Sequence, residues 1–159
     1  MNIILIGMPG SGKTSIAKEY SGKVIDTDEL IEREYGCISE IFASYGEEYF
    51  RDIESEIIKR VCNEDGCLIS TGGGSILREE NVLNFKKRGL VVYLRTPLET
   101  LLKRLERDNS RPLLKGDARS KTIELYNKRT PIYERAADII IDTDGLTPTE
   151  ILKKILSKV

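Results

Sequence analysis

No histidine occurs among the 159 residues of this chain. That absence removes Ser-His-Asp and Cys-His nucleophile sites, so any proton acceptor has to come from a carboxylate. Cysteine is scarce: Cys37, Cys62 and Cys67 are odd in number and form no C-x-x-C pair. A disulfide framework and a zinc knuckle are both disfavoured, and a reducing cytoplasm is the expected setting. No window approaches the roughly 18 uninterrupted apolar residues of a membrane-crossing helix. The apolar run from Met1 to Gly7 is too short for a secretion signal and lacks a basic flank. An excess of one charge is also missing. Lys and Arg total 25 against 26 for Asp and Glu, whereas a bulk binder of nucleic acid or of an anionic membrane would be more basic. Repeats, low-complexity stretches and linkers are not found, so residues 1–159 read as one domain, which at this length buries roughly 70% of its unfolded surface. A monomer is the default.

Charge is nevertheless uneven along the chain. From Asp26 to Glu56 there are 11 acidic and two basic residues, a net −9; from Lys103 to Arg135 there are ten basic and five acidic, a net +5. Most of these residues read as solvated helix faces. The basic block also holds a Gly- and Pro-containing loop, Asp108 to Ser120, suited to closing over an anionic ligand.

Strands and helices alternate. Short apolar strands are expected at Asn2–Ile6, Lys23–Asp26, Cys67–Ser70, Leu90–Arg95 and Asp138–Asp142. Between them the spacing predicts helices at Lys13–Tyr20, Asp28–Tyr35 with Gly36 just past its end, Ser39–Ser44, Glu47–Cys62 and Glu79–Arg88. Phe50, Ile53, Ile57 and Val61 share one face of the fourth. Thr96-Pro97-Leu98-Glu99 and Thr147-Pro148-Thr149-Glu150 read as capping boxes with proline at the first helical position. A further helix is expected from about Arg119 to Arg129, with a break near Pro131. The alternation argues an α/β fold, a parallel sheet covered on both faces.

Gly7-Met8-Pro9-Gly10-Ser11-Gly12-Lys13-Thr14 fits G-x-x-x-x-G-K-[ST], and it lies where a strand ends and a helix begins. Glycines allow backbone N–H groups to cradle phosphate oxygens, and the helix adds its positive end. Lys13 supplies a point charge for the β- and γ-phosphates, and the Thr14 hydroxyl can ligate Mg²⁺. Gly10, Ser11, Gly12, Lys13, Thr14 and Ser15 are the candidate ATP-binding residues. Two classes of protein compete for this loop, a small-molecule kinase and a nucleotide-dependent switch. A switch needs a guanine-reading N-K-x-D; Asn127-Lys128-Arg129-Thr130 lacks the aspartate and falls in a predicted helix. A motor-type ATPase needs an acidic strand end where Cys67–Ser70 runs into glycines.

The acceptor side is less explicit. Asp26-Thr27-Asp28 follows the second strand, on the ligand side of a parallel sheet. Two carboxylates there can divide the work between metal and acceptor hydroxyl, or Asp28 can simply start a helix. Arg51 and Glu54 are i, i+3 neighbours. They are either a surface pair or a guanidinium held ready to clamp a ligand carboxylate. Gly72-Gly73-Gly74 is either a flexible turn or a place where backbone approaches a ligand closely.

Together with Ile38-Ser39-Glu40-Ile41-Phe42, Gly46-Glu47, Phe50-Arg51-Asp52-Ile53-Glu54, Arg111-Pro112-Leu113-Leu114 and Lys128-Arg129-Thr130-Pro131-Ile132-Tyr133, these motifs resemble the shikimate kinases over nearly the whole chain. The resemblance implies a P-loop fold of the nucleoside-monophosphate-kinase type, with a five-stranded sheet of order 2-3-1-4-5. It implies ATP-dependent phosphorylation of shikimate at its 3-hydroxyl, in chorismate and aromatic amino-acid biosynthesis. By the same resemblance Asp28 is the candidate base, Arg51, Gly73 and Arg129 bind shikimate, and Arg111 reaches the ATP phosphates from a lid. Thr14 ligates Mg²⁺ with Asp26 nearby. Leu146 stands where members often carry a polar or basic residue near the adenine. A related small-molecule kinase, such as a gluconate kinase, is the alternative.

Overall fold

A computed structural model describes residues 1–107 and 115–159. Strands β1 (Asn2–Ile6), β2 (Lys23–Asp26), β3 (Cys67–Ser70), β4 (Gly89–Arg95) and β5 (Ile139–Asp142) pair in parallel as a sheet of order β2-β3-β1-β4-β5. The expected order is therefore present. Central β1 is buried at all five positions, and its continuous Ile-Leu composition follows from having both faces covered. Its register sets Ile4 opposite Ile69 on one side and Val91 on the other.

Alternate β1 residues feed two cores. Ile3 and Leu5 pack with α1 (Lys13–Lys18) and α8 (Pro148–Leu156) through Ile16, Ala17, Ile151 and Ile155. Ile4 and Ile6 face the larger cluster, which gathers α2 (Thr27–Tyr35), α3 (Ile38–Tyr45), α4 (Glu47–Val61) and α5 (Glu79–Arg88) through Ile31, Ile41, Ile57 and Phe85. Helix α6 (Leu98–Arg107) adds Leu101 to this cluster, and α7 (Lys115–Ala136) adds Tyr133 and Ala136.

Local signals set several ends. Asp26 caps α2, accepting from the Glu29 N–H at 3.1 Å, and Gly36 ends it at φ 97°. The Thr147 box at α8 is formed in full. The Thr96 hydroxyl instead meets the Thr143 hydroxyl at 2.6 Å, tying the end of β4 to the segment after β5.

Two expectations fail at α7. The helix begins at Lys115, inside the segment read as loop, and it continues through Pro131 to Ala136. Proline inside a helix costs about 3 kcal/mol by removing one bond and crowding the preceding turn. Fully buried Tyr133 and nearly buried Ala136 lie beyond it, and their packing keeps the chain helical. The Thr130 hydroxyl donates to the Tyr126 carbonyl at 2.6 Å, supplying a polar contact in the turn the proline disrupts. Arg129 is therefore not released by a helix break. It is 8% exposed, held within an unbroken helix.

Candidate active site

The loop from Gly7 to Gly12 joins β1 to α1. Gly12 takes φ 97°, a left-handed conformation that turns the chain into the helix. Lys13 folds back over the loop, its Nζ donating to the Gly7 carbonyl at 2.6 Å and the Met8 carbonyl at 3.1 Å. Burial pulls the Lys13 ammonium down to about 8, against the opposing pull of Asp28 and then Asp26.

A cleft of about 560 Å³ opens here at the carboxyl ends of β1, β2 and β3. Gly10, Ser11, Gly12, Lys13, Thr14 and Ser15 line it together with Asp26, Asp28, Gly72 and Gly73. The structure thus brings the phosphate loop, both aspartates and the glycine run to one place. The Asp28 carboxyl is raised above the ordinary carboxylate range, first by desolvation and then by Asp26, while Lys13 and Arg51 pull the other way. An exposed Thr14 hydroxyl and the two carboxylates form a hard-oxygen donor set of the kind Mg²⁺ takes. Among the described residues no group of three or more acidic, Cys or His side chains is arranged as a cation cage. That fits an ion held partly by nucleotide phosphates and water.

Arg51 and Glu54 are not a surface pair. Glu54 is 1% exposed and its Oε1 accepts from Arg51 at 2.9 Å; Glu47 accepts from the same guanidinium at 3.3 Å from the outside. The Arg51 guanidinium also lies 5.2 Å from the centroid of the Phe50 ring. Burial pushes the Glu54 carboxyl up, and Arg51 opposes it.

The glycine run is where these groups converge. A Cβ on Gly72 would fall 2.7 Å from Asp28 Oδ1 and 3.1 Å from Glu54 Oε2. One on Gly73 would meet Pro9 Cδ at 2.9 Å and an Arg129 nitrogen at 3.2 Å, and one on Gly74 would meet Arg51 Cζ at 2.6 Å. None of the three takes positive φ, so glycine is required by approach, not by backbone conformation. Asp28, Glu54, Arg129 and Arg51 therefore pack directly on the Gly72–Gly74 backbone.

Two contacts were not legible in advance. Arg104 of α6 lines the cleft and donates to the Gly10 carbonyl at 2.5 Å. Tyr133 donates to the Gly73 carbonyl at 2.5 Å. Each partner lies 60 or more residues away, so no local pattern could mark either contact. Thr143 and Leu146 also line the cleft. Arg111 lies outside the described residues. Asn127 to Thr130, the nearest approach to a guanine-reading motif, is inside α7.

A phosphate-binding loop at the carboxyl end of the central strand of a 2-3-1-4-5 parallel sheet, facing acidic and guanidinium side chains, defines a P-loop phosphotransferase. The shikimate kinase family model matches residues 9–159, and the chain belongs to that family. It is 45% identical to a shikimate kinase of Thermodesulfovibrio yellowstonii, over 99% of this chain and 94% of that protein. It is 47% identical to one of Clostridium botulinum, over 90% of this chain and 88% of that protein. The shikimate kinase of Acinetobacter baumannii, solved in complex with shikimate, superposes with a TM-score of 0.89 at 35% identity, covering 99% of this chain and 91% of that one.

Proposed function

We propose that this chain transfers the γ-phosphoryl group of ATP to the 3-hydroxyl of shikimate, giving 3-phosphoshikimate and ADP, a step in chorismate and aromatic amino-acid biosynthesis. The observation that carries this reading is one carboxylate, Asp28, which lines the cleft beside Lys13 and packs on Gly72 with Glu54, the buried partner of Arg51. Two guanidinium groups, Arg51 and Arg129, against the glycine run beside a phosphate loop suit a hydroxylated carboxylic acid better than a neutral polyol.

Phosphoryl transfer has a loose transition state, so positioning and charge neutralisation supply most of the catalysis. Lys13 leaves the Gly7 and Met8 carbonyls and takes the β- and γ-phosphates. Backbone N–H groups from Gly10 to Ser15 hold the phosphate chain. Arg51 and Arg129 bind the shikimate carboxylate, with the Gly73 backbone against the ring. Asp28 accepts a hydrogen bond from the 3-hydroxyl, orients it in line and takes its proton late in the transfer. Its raised affinity for a proton suits that task. Arg111, from its Arg-Pro motif, reaches the same phosphates. Thr14 and Asp26 are the residues to hold Mg²⁺, which when bound neutralises charge on the β- and γ-phosphate oxygens.

We read residues 1–159 as one kinase domain, a cytoplasmic monomer with no nucleic-acid or membrane partner. Three free cysteines support the cytoplasmic setting. Among the described residues no helix is long and apolar enough to cross a membrane. A coupled ADP-release assay tests the activity, with shikimate, gluconate and nucleoside monophosphates compared as acceptors. Shikimate-dependent ADP release is expected; release driven by gluconate or a nucleotide in its place would overturn the reading.

A further inference from the structure

Each carbonyl of the glycine run has its own partner. Gly72 accepts from the Ser75 N–H at 3.1 Å and Gly74 from the Leu77 N–H at 3.1 Å, both within the local turn. The Gly73 carbonyl takes the Tyr133 hydroxyl from α7 at 2.5 Å, a contact 60 residues distant. Tyr133 is fully buried, and its ring stacks on Tyr93 of β4 with centroids 5.0 Å apart. Burial pushes the phenol up to about 12, so the hydroxyl is a neutral donor at any working pH. Arg129 sits one turn earlier on the same helix, its positive charge acting on that hydroxyl and a guanidinium nitrogen beside Gly73.

We propose that Tyr133 is a positioning residue for the acceptor: its hydroxyl fixes the Gly73–Gly74 peptide and, with it, the seat of the Arg129 guanidinium. This rests on the reading of Gly73 and Arg129 as shikimate ligands. The physical reason lies in the peptide unit. In a trans peptide the C=O and the following N–H point in opposite directions, and the structure has no cis bond among the described residues. Holding the Gly73 oxygen therefore also fixes where the Gly74 N–H is aimed. Glycine backbone is the most easily rotated of any residue, so without an anchor this peptide would sample several orientations. Only Tyr133 holds this carbonyl among the described contacts, and Tyr133 itself is locked by its stack on the central sheet. Sheet strand β4 thereby sets the geometry of an acceptor-side peptide through one hydroxyl. The tyrosine, fully buried, acts through this peptide and is not itself a ligand of the acceptor.

Tyr133→Phe removes the hydroxyl and keeps the ring. The expected result is a shikimate KM raised about 5- to 20-fold, the loss of one hydrogen bond to a buried carbonyl, with ATP KM changed less than about twofold. Replacing Tyr133 with 4-aminophenylalanine, which restores a donor at the same place, should recover most of the shikimate KM; this variant also keeps the test intact if the Phe variant folds poorly. A purely structural role would lower the melting temperature and the active fraction while leaving both KM values alone, and that result overturns the proposal. Failure of the amino variant to restore the shikimate KM overturns it too. Arg129→Ala separates the two readings. If that variant keeps the parent shikimate KM, the acceptor-site assignment fails. If it raises KM strongly while Tyr133→Phe does not, the positioning role alone fails.

Discussion

Glu54→Gln is the perturbation that most directly weighs what the buried ion pair contributes. The substitution keeps size and shape but leaves the Arg51 charge, whose side chain is 11% exposed, without its buried counter-ion. Removing one partner of a buried pair costs about 3–5 kcal/mol. Glu47 still reaches the guanidinium at 3.3 Å, but its side chain is 60% exposed, so it offsets only about 0.2–1 kcal/mol. A net loss of about 2–4 kcal/mol follows, or a melting temperature lower by about 5–15 °C at this chain length. The double variant Arg51→Met with Glu54→Leu should behave differently. Both charges vanish, and replacing a buried pair by apolar groups of similar volume is often neutral or stabilising. That the Glu54 carboxyl is pushed up despite its arginine says that desolvation outweighs the attraction. The double variant should therefore melt within about 1 kcal/mol of the parent, yet use shikimate poorly. Differential scanning calorimetry gives the stabilities and shikimate KM gives the function. If the single variant melts with the parent, the pair contributes nothing to stability; if the double variant loses as much as both single changes together, the pair is a net stabiliser; either result refutes this reasoning.

Four further outcomes follow from the same site. Asp28→Asn should lower kcat by about 10²–10⁴-fold with ATP binding retained, since it removes a general base. The same variant should be more stable than the parent at pH 7–8: between the ordinary carboxylate value and its raised native value, Asp28 holds a proton the unfolded chain has released, so stability falls as pH rises through that window, and asparagine removes the penalty. Chemical denaturation across pH checks the sign. Lys13, lowered to about 8 in the free protein, should make kcat/KM for ATP decline above about pH 8, while kcat holds to higher pH because bound phosphates raise the lysine again; pH–rate profiles would expose a parallel decline that contradicts this. Gly74→Ala would place a methyl 2.6 Å from Arg51 Cζ, so the variant should fold with a raised shikimate KM and little change for ATP; an unchanged shikimate KM would refute the contact.

The alternation of strands and helices and the phosphate loop were legible because each rests on local chemistry, whereas the strand order came only from the resemblance to the shikimate kinases. Strand-ending glycines, a Gly-Lys-Thr turn and an Asp-Thr-Asp helix start all act within a few residues of themselves. Pro131 was misleading for the opposite reason. Its local effect is real, but Tyr133 on one side and Arg129 on the other are both buried, and tertiary packing overrides one missing hydrogen bond. Thr96 failed similarly. As a sequence it is a capping residue, yet Thr143 comes within 2.6 Å only because β4 and β5 are neighbours. Whether Arg51 and Glu54 were surface or interior could not be decided from helical spacing, since i, i+3 neighbours occur on every face.

Gly72-Gly73-Gly74 shows the limit most sharply. A triple glycine ordinarily suggests a flexible or left-handed turn, and either would have explained the residues. Neither holds here, because no positive φ occurs in the run and every carbonyl is bonded. What excludes a side chain is the approach of five others: Asp28 and Glu54 at Gly72, Pro9 and Arg129 at Gly73, Arg51 at Gly74. Those residues come from the phosphate loop, α2, α4 and α7, parts of the chain up to about 120 positions apart, joined only by the folded sheet. The glycines therefore act less as a hinge than as a thin wall. On it two guanidinium groups stand close enough to two carboxylates to act on the protonation of both carboxyls. A hinge would tolerate alanine wherever its φ allowed; a wall of this kind rejects a methyl at each of the three positions for a different, nameable neighbour.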